Sequence, residues 1–317
     1  MSEAELTKFD FPEVAEARLI HSDVLEALQT IPDESVDLVV SSPPYNIKKS
    51  YERDQQLTLD EYLVWQGEVI KELERVLKIG GSICWQTGTY VDRGGLIPLD
   101  IPFYGILTGT GLSLRNRIIW RFNFGLNSDR RFSGRYETLL WLTKGDDYKF
   151  NLDPVRVPQL YPGKRHAKNK GEKAGKPSGN PKGKNPSDYW EFSAEKDFRD
   201  NPVWDIPNIK NNHPEKTAHP CQFPIELAER CILAFTNLGD TVLDPFVGAG
   251  STVIAAEKLM RNSIGIDKEA DFIAVAADRL AKLREGSLPI RPSGMPVARP
   301  RETSKVATVP SEWSEKE

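Results

Sequence analysis

The sequence predicts a doubly wound α/β domain built on a mostly parallel sheet, with an irregular basic insertion on one side. Short apolar, β-branched runs alternate with segments of helical apolar spacing, which is the cadence of β-α-β units. A glycine-rich turn after one predicted strand opens a helix, as in folds that bind nucleotides. Right-handed crossovers would place helices on both faces of the sheet.

The first half of the chain supplies most of the predicted strands. They are residues 17–23, 36–42, 82–88, 118–122 and 137–145, the last near a sheet edge. A helix is predicted between the first two strands. A second begins at the capping residue Thr58 and ends at Gly80 and Gly81, where paired glycines indicate a helix C-cap.

The second half combines a basic insertion with a return to ordered elements. Residues 161–185 are rich in Gly, Pro and Lys and are predicted to be a mobile loop outside the core. A proline-led amphipathic helix, a strand, the glycine turn and a strand–helix pair follow. The predicted organisation is an N-terminal segment (1–16), two halves of one domain (17–154 and 211–284), the insertion (155–210) and a disordered tail (285–317).

Composition limits the classes of protein that fit. The chain has 317 residues and a net charge of −4, so a nucleic-acid surface has to be local. Three widely spaced cysteines argue against a disulfide framework, and four unclustered histidines argue against a metal site. There is no secretory signal pattern and no apolar run long enough for a membrane span. We therefore expect a cytoplasmic enzyme or binding protein.

The glycine turn predicts a nucleoside site. Gly248-Ala249-Gly250 lies between a strand and a helix, and glycines there let the backbone approach a ligand closely. The next strand ends in Asp267, which is placed to accept hydrogen bonds from the two ribose hydroxyls. A third glycine is missing, which weakens a dinucleotide interpretation. The alternative is a tight turn without ligand, but Asp244 and Phe246 before it favour an adenosine ligand.

A second motif, Ser42-Pro43-Pro44-Tyr45, ends the strand at residues 36–42. The prolines remove two backbone donors and leave acceptors, the Ser42 hydroxyl and the Pro43 carbonyl, beside an aromatic ring. This arrangement suits a planar ligand that donates through an amino group, such as a base flipped out of a helix and stacked on Tyr45. The alternative is a rigid turn at the sheet edge.

Together the two motifs resemble those of the amino-group DNA methyltransferases that use S-adenosylmethionine. That family carries Asp/Asn/Ser-Pro-Pro-Tyr/Phe/Trp and Phe-x-Gly-x-Gly, here at residues 42–45 and 246–250. The catalytic motif comes first, which is similar to the circularly permuted β group. The resemblance implies a methyltransferase fold, S-adenosylmethionine as cofactor and a cofactor site formed by Asp23, His219, Gln222, Asp244, Phe246, Gly248, Gly250, Ser251 and Asp267.

The resemblance also bears on the base that is methylated. Serine at the first motif position usually accompanies cytosine-N4 methylation, whereas Asn46 is common in adenine-N6 enzymes. An RNA or protein amine methyltransferase and a non-catalytic DNA-binding protein are further alternatives. Pro220-Cys221-Gln222 copies a cytosine-C5 motif, but the motif order is reversed, so Cys221 is predicted to be a packing residue at the start of a helix.

The expected partner is double-stranded DNA, held by local basic segments. Lysines and arginines that neutralise phosphates give salt-dependent binding, although a solvated loop is the alternative for any lysine run. The candidate contacts are Lys164, Arg165, Lys168, Lys170, Arg130 and Arg131. The resemblance admits two protein partners: a second copy of the chain and a restriction endonuclease that acts on the same site. No membrane partner is expected.

Overall fold

The computed structural model describes residues 15–46, 57–92, 95–122, 129–159, 161–167, 171–190, 209 and 213–292. The strands are β1 (Ala17–His21), β2 (Val36–Ser41), β3 (Leu77–Thr87), β4 (Thr89–Asp92), β5 (Gly95–Pro98), β6 (Ser113–Arg121), β7 (Tyr136–Thr143), β8 (Tyr189–Trp190), β9 (Thr241–Asp244) and β10 (Asn262–Asp267). The helices are α1 (Val24–Gln29), α2 (Leu59–Val76), α3 (Asp100–Gly109), α4 (Ile225–Phe235), α5 (Ser251–Lys258) and α6 (Ala270–Arg284).

Eight strands form one sheet in the order β1-β10-β9-β2-β3-β7-β6-β8, and β4 and β5 form a separate hairpin. Neighbouring strands are parallel except where β7 pairs with β3 and with β6. The chain turns in opposite directions from β2 and β9, which lie side by side. Ligands bind at such a switch point, outside the carboxyl ends of the strands. The mostly parallel sheet predicted from the sequence is confirmed.

Helices cover both faces of the sheet, as the doubly wound prediction requires. Buried residues of α4, α5 and α6 form one apolar cluster with the sheet, and buried residues of α1, α2 and α3 form the other. Helix α2 begins with the predicted cap: Glu61 N–H donates to the Thr58 hydroxyl, and the Glu61 carboxylate accepts from Thr58 N–H. No helix of the described residues is both long and apolar enough to cross a bilayer.

The predicted end of the second helix was wrong. Helix α2 ends at Val76, and Gly80 and Gly81 lie inside β3, because residues from Leu77 onward pair with β2. Gly80 has a φ of +80°, and a Cβ there would lie 2.5 Å from the carbonyl oxygen of Asp147. Strand β7, predicted near a sheet edge, runs antiparallel between β3 and β6, and only β6 and the two-residue β8 separate it from the edge.

The two ends of the insertion and the first residues after α6 pack against the core. Val155, Val157 and Trp190 are buried in the core beside α4, and β8 forms the sheet edge next to β6. The lysine-rich middle of the insertion is mostly exposed where it is described. Leu288 and Ile290 pack against the core, so residues 285–292 belong to the fold. The rest of the predicted tail lies outside the described residues.

Candidate active site

A cavity of about 600 Å³ lies where β2 and β9 end, at the switch point of the sheet. The loops after these two strands form much of its wall, and they are the segments that carry the two sequence motifs. Its lining includes Ser42, Tyr45, His219, Phe246, Gly248 and Asp267. The fold therefore brings the predicted catalytic residues and the predicted cofactor residues into one cavity, although they are some 200 residues apart in sequence.

Asp244 joins the two motifs beneath the cavity. Its fully buried carboxylate accepts hydrogen bonds from the Ser41 hydroxyl at 2.6 Å, the Thr252 hydroxyl at 2.7 Å and the Phe246 N–H at 3.1 Å. Burial raises the pKa of Asp244 to about 6, against the effect of these three donors. The residue was predicted to contact the cofactor, but it does not line the cavity. It instead fixes β2 to the glycine turn.

The glycine turn needs its two glycines for different reasons. Gly248 has a φ of +47°, and a Cβ there would lie 2.8 Å from Nε2 of His219, within the cavity wall. Gly250 has a φ of +82°, and a Cβ there would lie 2.9 Å from Cβ of Ala276 on α6. Gly248 and Ser251 line the cavity, whereas Gly250 allows α6 to pack closely.

Asp267, at the end of β10, turns its carboxylate toward the same turn. One oxygen accepts from Gly248 N–H at 2.9 Å and the other from Glu269 N–H at 2.9 Å. Burial raises its pKa, while these two backbone donors lower it. A carboxylate has about four lone-pair sites, so acceptor capacity remains for a ligand in the cavity that Asp267 lines.

The Ser42–Tyr45 corner is held from three sides. The Ser42 and Tyr45 hydroxyls share a hydrogen bond of 3.0 Å, and the Tyr62 hydroxyl donates to the Pro44 carbonyl at 2.7 Å. The Tyr45 ring lies so close to Gly88 that a Cβ there would be 2.9 Å from Cε2 of the ring. Burial and then the Glu137 charge raise the pKa of Tyr45, so its phenol stays protonated.

The corner consequently presents acceptors to the cavity. Within the described residues no hydrogen bond occupies the Pro43 carbonyl oxygen. The Ser42 oxygen keeps at least one lone pair whichever hydroxyl donates in its bond to Tyr45. Two acceptors next to an aromatic ring can hold both hydrogens of an aromatic amine.

Known proteins of similar sequence identify the family of this chain. A family model for N6/N4-type DNA methylases matches residues 36–278. The chain belongs to this family. The Type II methyltransferase M.BglII of Bacillus subtilis is 46% identical over 267 residues, which cover 84% of this chain and 69% of that protein. The DNA adenine methyltransferase YhdJ of Escherichia coli is 31% identical over 277 residues, covering 83% of this chain and 82% of YhdJ.

Solved structures agree on the fold. A Thermus thermophilus protein solved in complex with S-adenosyl-L-methionine aligns with a TM-score of 0.58 and 25% identity, covering 86% of this chain and 95% of its own. The cytosine-N4-specific PvuII DNA methyltransferase aligns with a TM-score of 0.61 and 22% identity, covering 84% and 89%. The predicted family, fold and cofactor, S-adenosylmethionine, are confirmed, and the protein is a DNA methyltransferase.

In this methyltransferase the segment 213–223 forms the cavity wall next to the glycine turn, where His219 lies against Gly248. His219, Cys221 and Gln222 line the cavity. The Gln222 amide is engaged within the wall, since it donates to the Glu215 carbonyl at 2.8 Å and accepts from the Thr217 hydroxyl at 2.9 Å. The Cys221 prediction was wrong in position: α4 begins only at Ile225, and Cys221 faces the cavity.

Sequence reasoning missed the residues that support this wall. The buried Glu215 carboxylate accepts from Ile225 N–H at 2.9 Å and from Arg291 N–H at 3.2 Å. The Arg291 guanidinium also binds Glu226 at 2.7 Å. On α6, Arg279 donates to the Ala249 carbonyl in the glycine turn. Most of these contacts join residues far apart in sequence, so no local sequence pattern predicts them.

The remaining predicted site residues lie partly in the cavity and partly on the surface. Asp23 lines the cavity and caps α1, accepting from Leu25 N–H at 2.9 Å. Arg130 and Arg131 are exposed just before β7, and Lys164 and Arg165 are exposed in the insertion. Lys168 and Lys170 lie outside the described residues. Trp65 on α2 and Phe272 on α6 line the cavity without belonging to either motif.

His219 should make the protein sensitive to acid. Burial, with Lys216 and Arg279 nearby, lowers its pKa from 6.5 to about 4. Between these pH values the His219 side chain is protonated in the unfolded chain but neutral in the folded protein. The free energy of unfolding therefore falls as the pH drops from 6.5 toward 4. Asp244, whose pKa is raised from 3.8 to about 6, acts in the opposite direction as the pH falls below about 6.

We therefore expect the His219→Gln variant to lose less thermal stability than the native protein on acidification. The measurement is the unfolding temperature between about pH 7 and pH 4.5 in a fixed buffer series, the range in which histidine and carboxylate linkage acts. His166→Gln, in the insertion, is the control and should behave as the native protein does. Parallel curves for the native protein and the His219 variant would contradict the prediction.

Proposed function

We propose that this DNA methyltransferase transfers the methyl group of S-adenosylmethionine to the N4 amine of a cytosine that it flips out of duplex DNA. The observation that carries the choice of base is Ser42, a neutral hydroxyl at the first position of the catalytic corner. The methyl group is transferred to an exocyclic amine of the base, since the corner presents acceptors and the family acts on amino groups.

The residues present fit the cofactor. A Cβ at Gly248 would press on the His219 ring in the cavity wall, and the Gly248 N–H is held by Asp267, whose remaining lone pairs suit the ribose hydroxyls. His219 is neutral at physiological pH, so it adds no positive charge to the wall. When bound, S-adenosylmethionine supplies a methyl group on a positively charged sulfur. Phe246, Asp267 and His219 would hold it, and Asp23 would meet the adenine amine.

The chain's own contribution is positioning and electrostatics. The Ser42 oxygen and the Pro43 carbonyl would accept the two amine hydrogens, which favours a pyramidal nitrogen whose lone pair can attack. Tyr45 would stack on the flipped base, and its bond to Ser42 keeps the serine oxygen aimed at the amine. Such fixed groups act without reorganising during the reaction.

Adenine-N6 methylation is the second candidate. It is supported by the likeness to YhdJ, a DNA adenine methyltransferase, and by Asn46 after the catalytic corner. Asn46 has a φ of +55° and donates through its side-chain amide to the Leu57 carbonyl at 2.8 Å. Asn46 and Leu57 both line the cavity, so this contact shapes the wall that a purine or a pyrimidine would meet.

Nucleoside mass spectrometry of DNA from a methylation-free host that expresses the chain decides between the two bases. N4-methylcytosine supports the proposal, and sequencing of the same DNA then gives the recognition site. N6-methyladenine would keep the mechanism but reject cytosine as the target. A homodimer and an endonuclease partner stay predictions.

Arg130 and Arg131 are expected to contact DNA phosphates, because both are exposed on the loop that enters β7 at the carboxyl end of β3. Replacing both by alanine should lower the slope of log affinity against log salt concentration by about 2, because each phosphate that is no longer neutralised lowers it by about one. Fluorescence anisotropy of a labelled duplex at several salt concentrations measures this slope. Lys282→Ala, on the last turn of α6, is the charge control. An unchanged slope in the double variant would show that these arginines do not touch the backbone.

A further inference from the structure

One large apolar side chain is fully exposed at the surface. Phe132 is 102% exposed, more than any other large apolar side chain of the described residues. Single exposed apolar residues are common and by themselves need no explanation. The residues around Phe132, however, indicate a binding surface.

Phe132 lies in a short basic loop, residues 129–135, which we call the arginine loop. Arg130 and Arg131 precede it, Arg135 follows it, and Asp129 is the acid of the segment. Asp129, Arg130, Arg131 and Phe132 are all exposed. An aromatic ring flanked by arginines is complementary to DNA, which offers phosphates on its outside and stacking surfaces between its bases.

The sheet places the arginine loop and the catalytic corner at the same end. The loop leads into β7, whose Thr138 pairs with Thr87 at the end of β3. The residue after Thr87 is Gly88, which contacts the Tyr45 ring. The loop thus lies at the end of the sheet where β2 and β3 finish, which is also where Ser42 and Tyr45 lie. We expect a flipped base to enter there.

We infer that Phe132 is a wedge that enters the DNA stack when the target base leaves it, with Arg130 and Arg131 on the neighbouring phosphates. This inference rests on the proposed function, because Phe132 would assist the base flipping that the proposed reaction requires. A base that leaves the helix exposes the faces of its neighbours, and an aromatic side chain can cover them. Phe132 is a positioning residue in this account, since it touches neither the amine nor the cofactor.

The test compares Phe132→Ala with the native protein on two duplexes that contain the mapped recognition site. One duplex is fully paired, and the other has an abasic position opposite the target base, so that little pairing opposes flipping. We expect Phe132→Ala to slow single-turnover methylation of the paired duplex by about tenfold or more, the size of a lost base–aromatic stack. On the abasic duplex we expect most of this loss to disappear, and Phe132→Trp should restore the paired reaction.

A second readout follows flipping itself. A fluorescent analogue at the target position, pyrrolocytosine or 2-aminopurine according to the methylated base, should brighten less with Phe132→Ala than with the native protein. Ile79→Ala is the matched control, because Ile79 is 73% exposed at the beginning of β3, on the opposite edge of the sheet.

Three outcomes overturn the wedge. They are an unchanged rate on the paired duplex, an equal loss on both duplexes, and a loss with Ile79→Ala as large as that with Phe132→Ala. In each of these cases the native protein still methylates DNA, so the proposed function stands. If the native protein methylates neither duplex, the proposed function fails, and the wedge fails with it.

Discussion

Ser42→Ala is expected to slow methyl transfer by about 10²–10³-fold, the loss seen when one preorganised hydrogen-bonding group is removed from an active site. The variant should bind S-adenosylmethionine as the native protein does, because Asp267, Gly248 and His219 are untouched. Alanine removes the oxygen that would accept an amine hydrogen and also ends the bond to the Tyr45 hydroxyl.

Two tyrosine variants separate the contributions at the corner. Tyr45→Phe keeps the ring and loses only the hydroxyl contact to Ser42, so its loss of rate should be smaller than that of Tyr45→Ala, which loses the stacking surface as well. Single-turnover rates with saturating cofactor measure the chemical step, and calorimetry measures cofactor binding. Ser35→Ala, at the amino end of β2, is the control. Loss of cofactor binding in folded Ser42→Ala and Tyr45→Ala proteins would contradict this division of labour.

Asp267→Ala is expected to weaken cofactor binding by about tenfold to a hundredfold, which corresponds to the loss of one hydrogen bond to a charged group. Its carboxylate both fixes the Gly248 N–H and offers lone pairs to the cavity. Titration calorimetry with S-adenosylmethionine measures the affinity. Asp278→Ala, an exposed carboxylate on α6, is the control for loss of charge.

The reaction rate helps to interpret this variant. With enough cofactor to saturate the weakened site, Asp267→Ala should recover much of the native rate, because the Ser42–Tyr45 corner remains intact. A folded Asp267→Ala protein with native affinity would remove Asp267 from the cofactor site.

Much of the fold could be predicted because its signals are local. Strands β1, β2, β9 and β10 are short apolar runs bounded by turns, and α2 carries a capping box at Thr58. The resemblance of the two motifs to those of one methyltransferase family predicted that residues 42–45 and 246–250 serve one site. The sheet confirms their proximity, since β2 and β9 are adjacent.

The remaining features depend on contacts that the local sequence does not show. Gly80 and Gly81 have the pattern of a helix C-cap, but pairing with β2 and β7 draws them into a strand. Asp244 precedes the glycine turn as a ligand-binding acid would, yet three internal donors engage its carboxylate. The support of the cavity wall by Arg291 joins residues 76 positions apart. Tertiary pairing determines each of these outcomes.

The measurement that tests the account most directly uses purified protein, unmethylated duplex DNA and S-adenosylmethionine carrying a trideuterated methyl group. The DNA is digested to nucleosides, which are analysed by mass spectrometry, with Ser42→Ala run in parallel. We expect the deuterated methyl group on the N4 amine of cytosine with the native protein and almost none with the variant. A deuterated methyl group on carbon 5 of cytosine, or no labelled nucleoside from a folded protein that binds the cofactor, would contradict it.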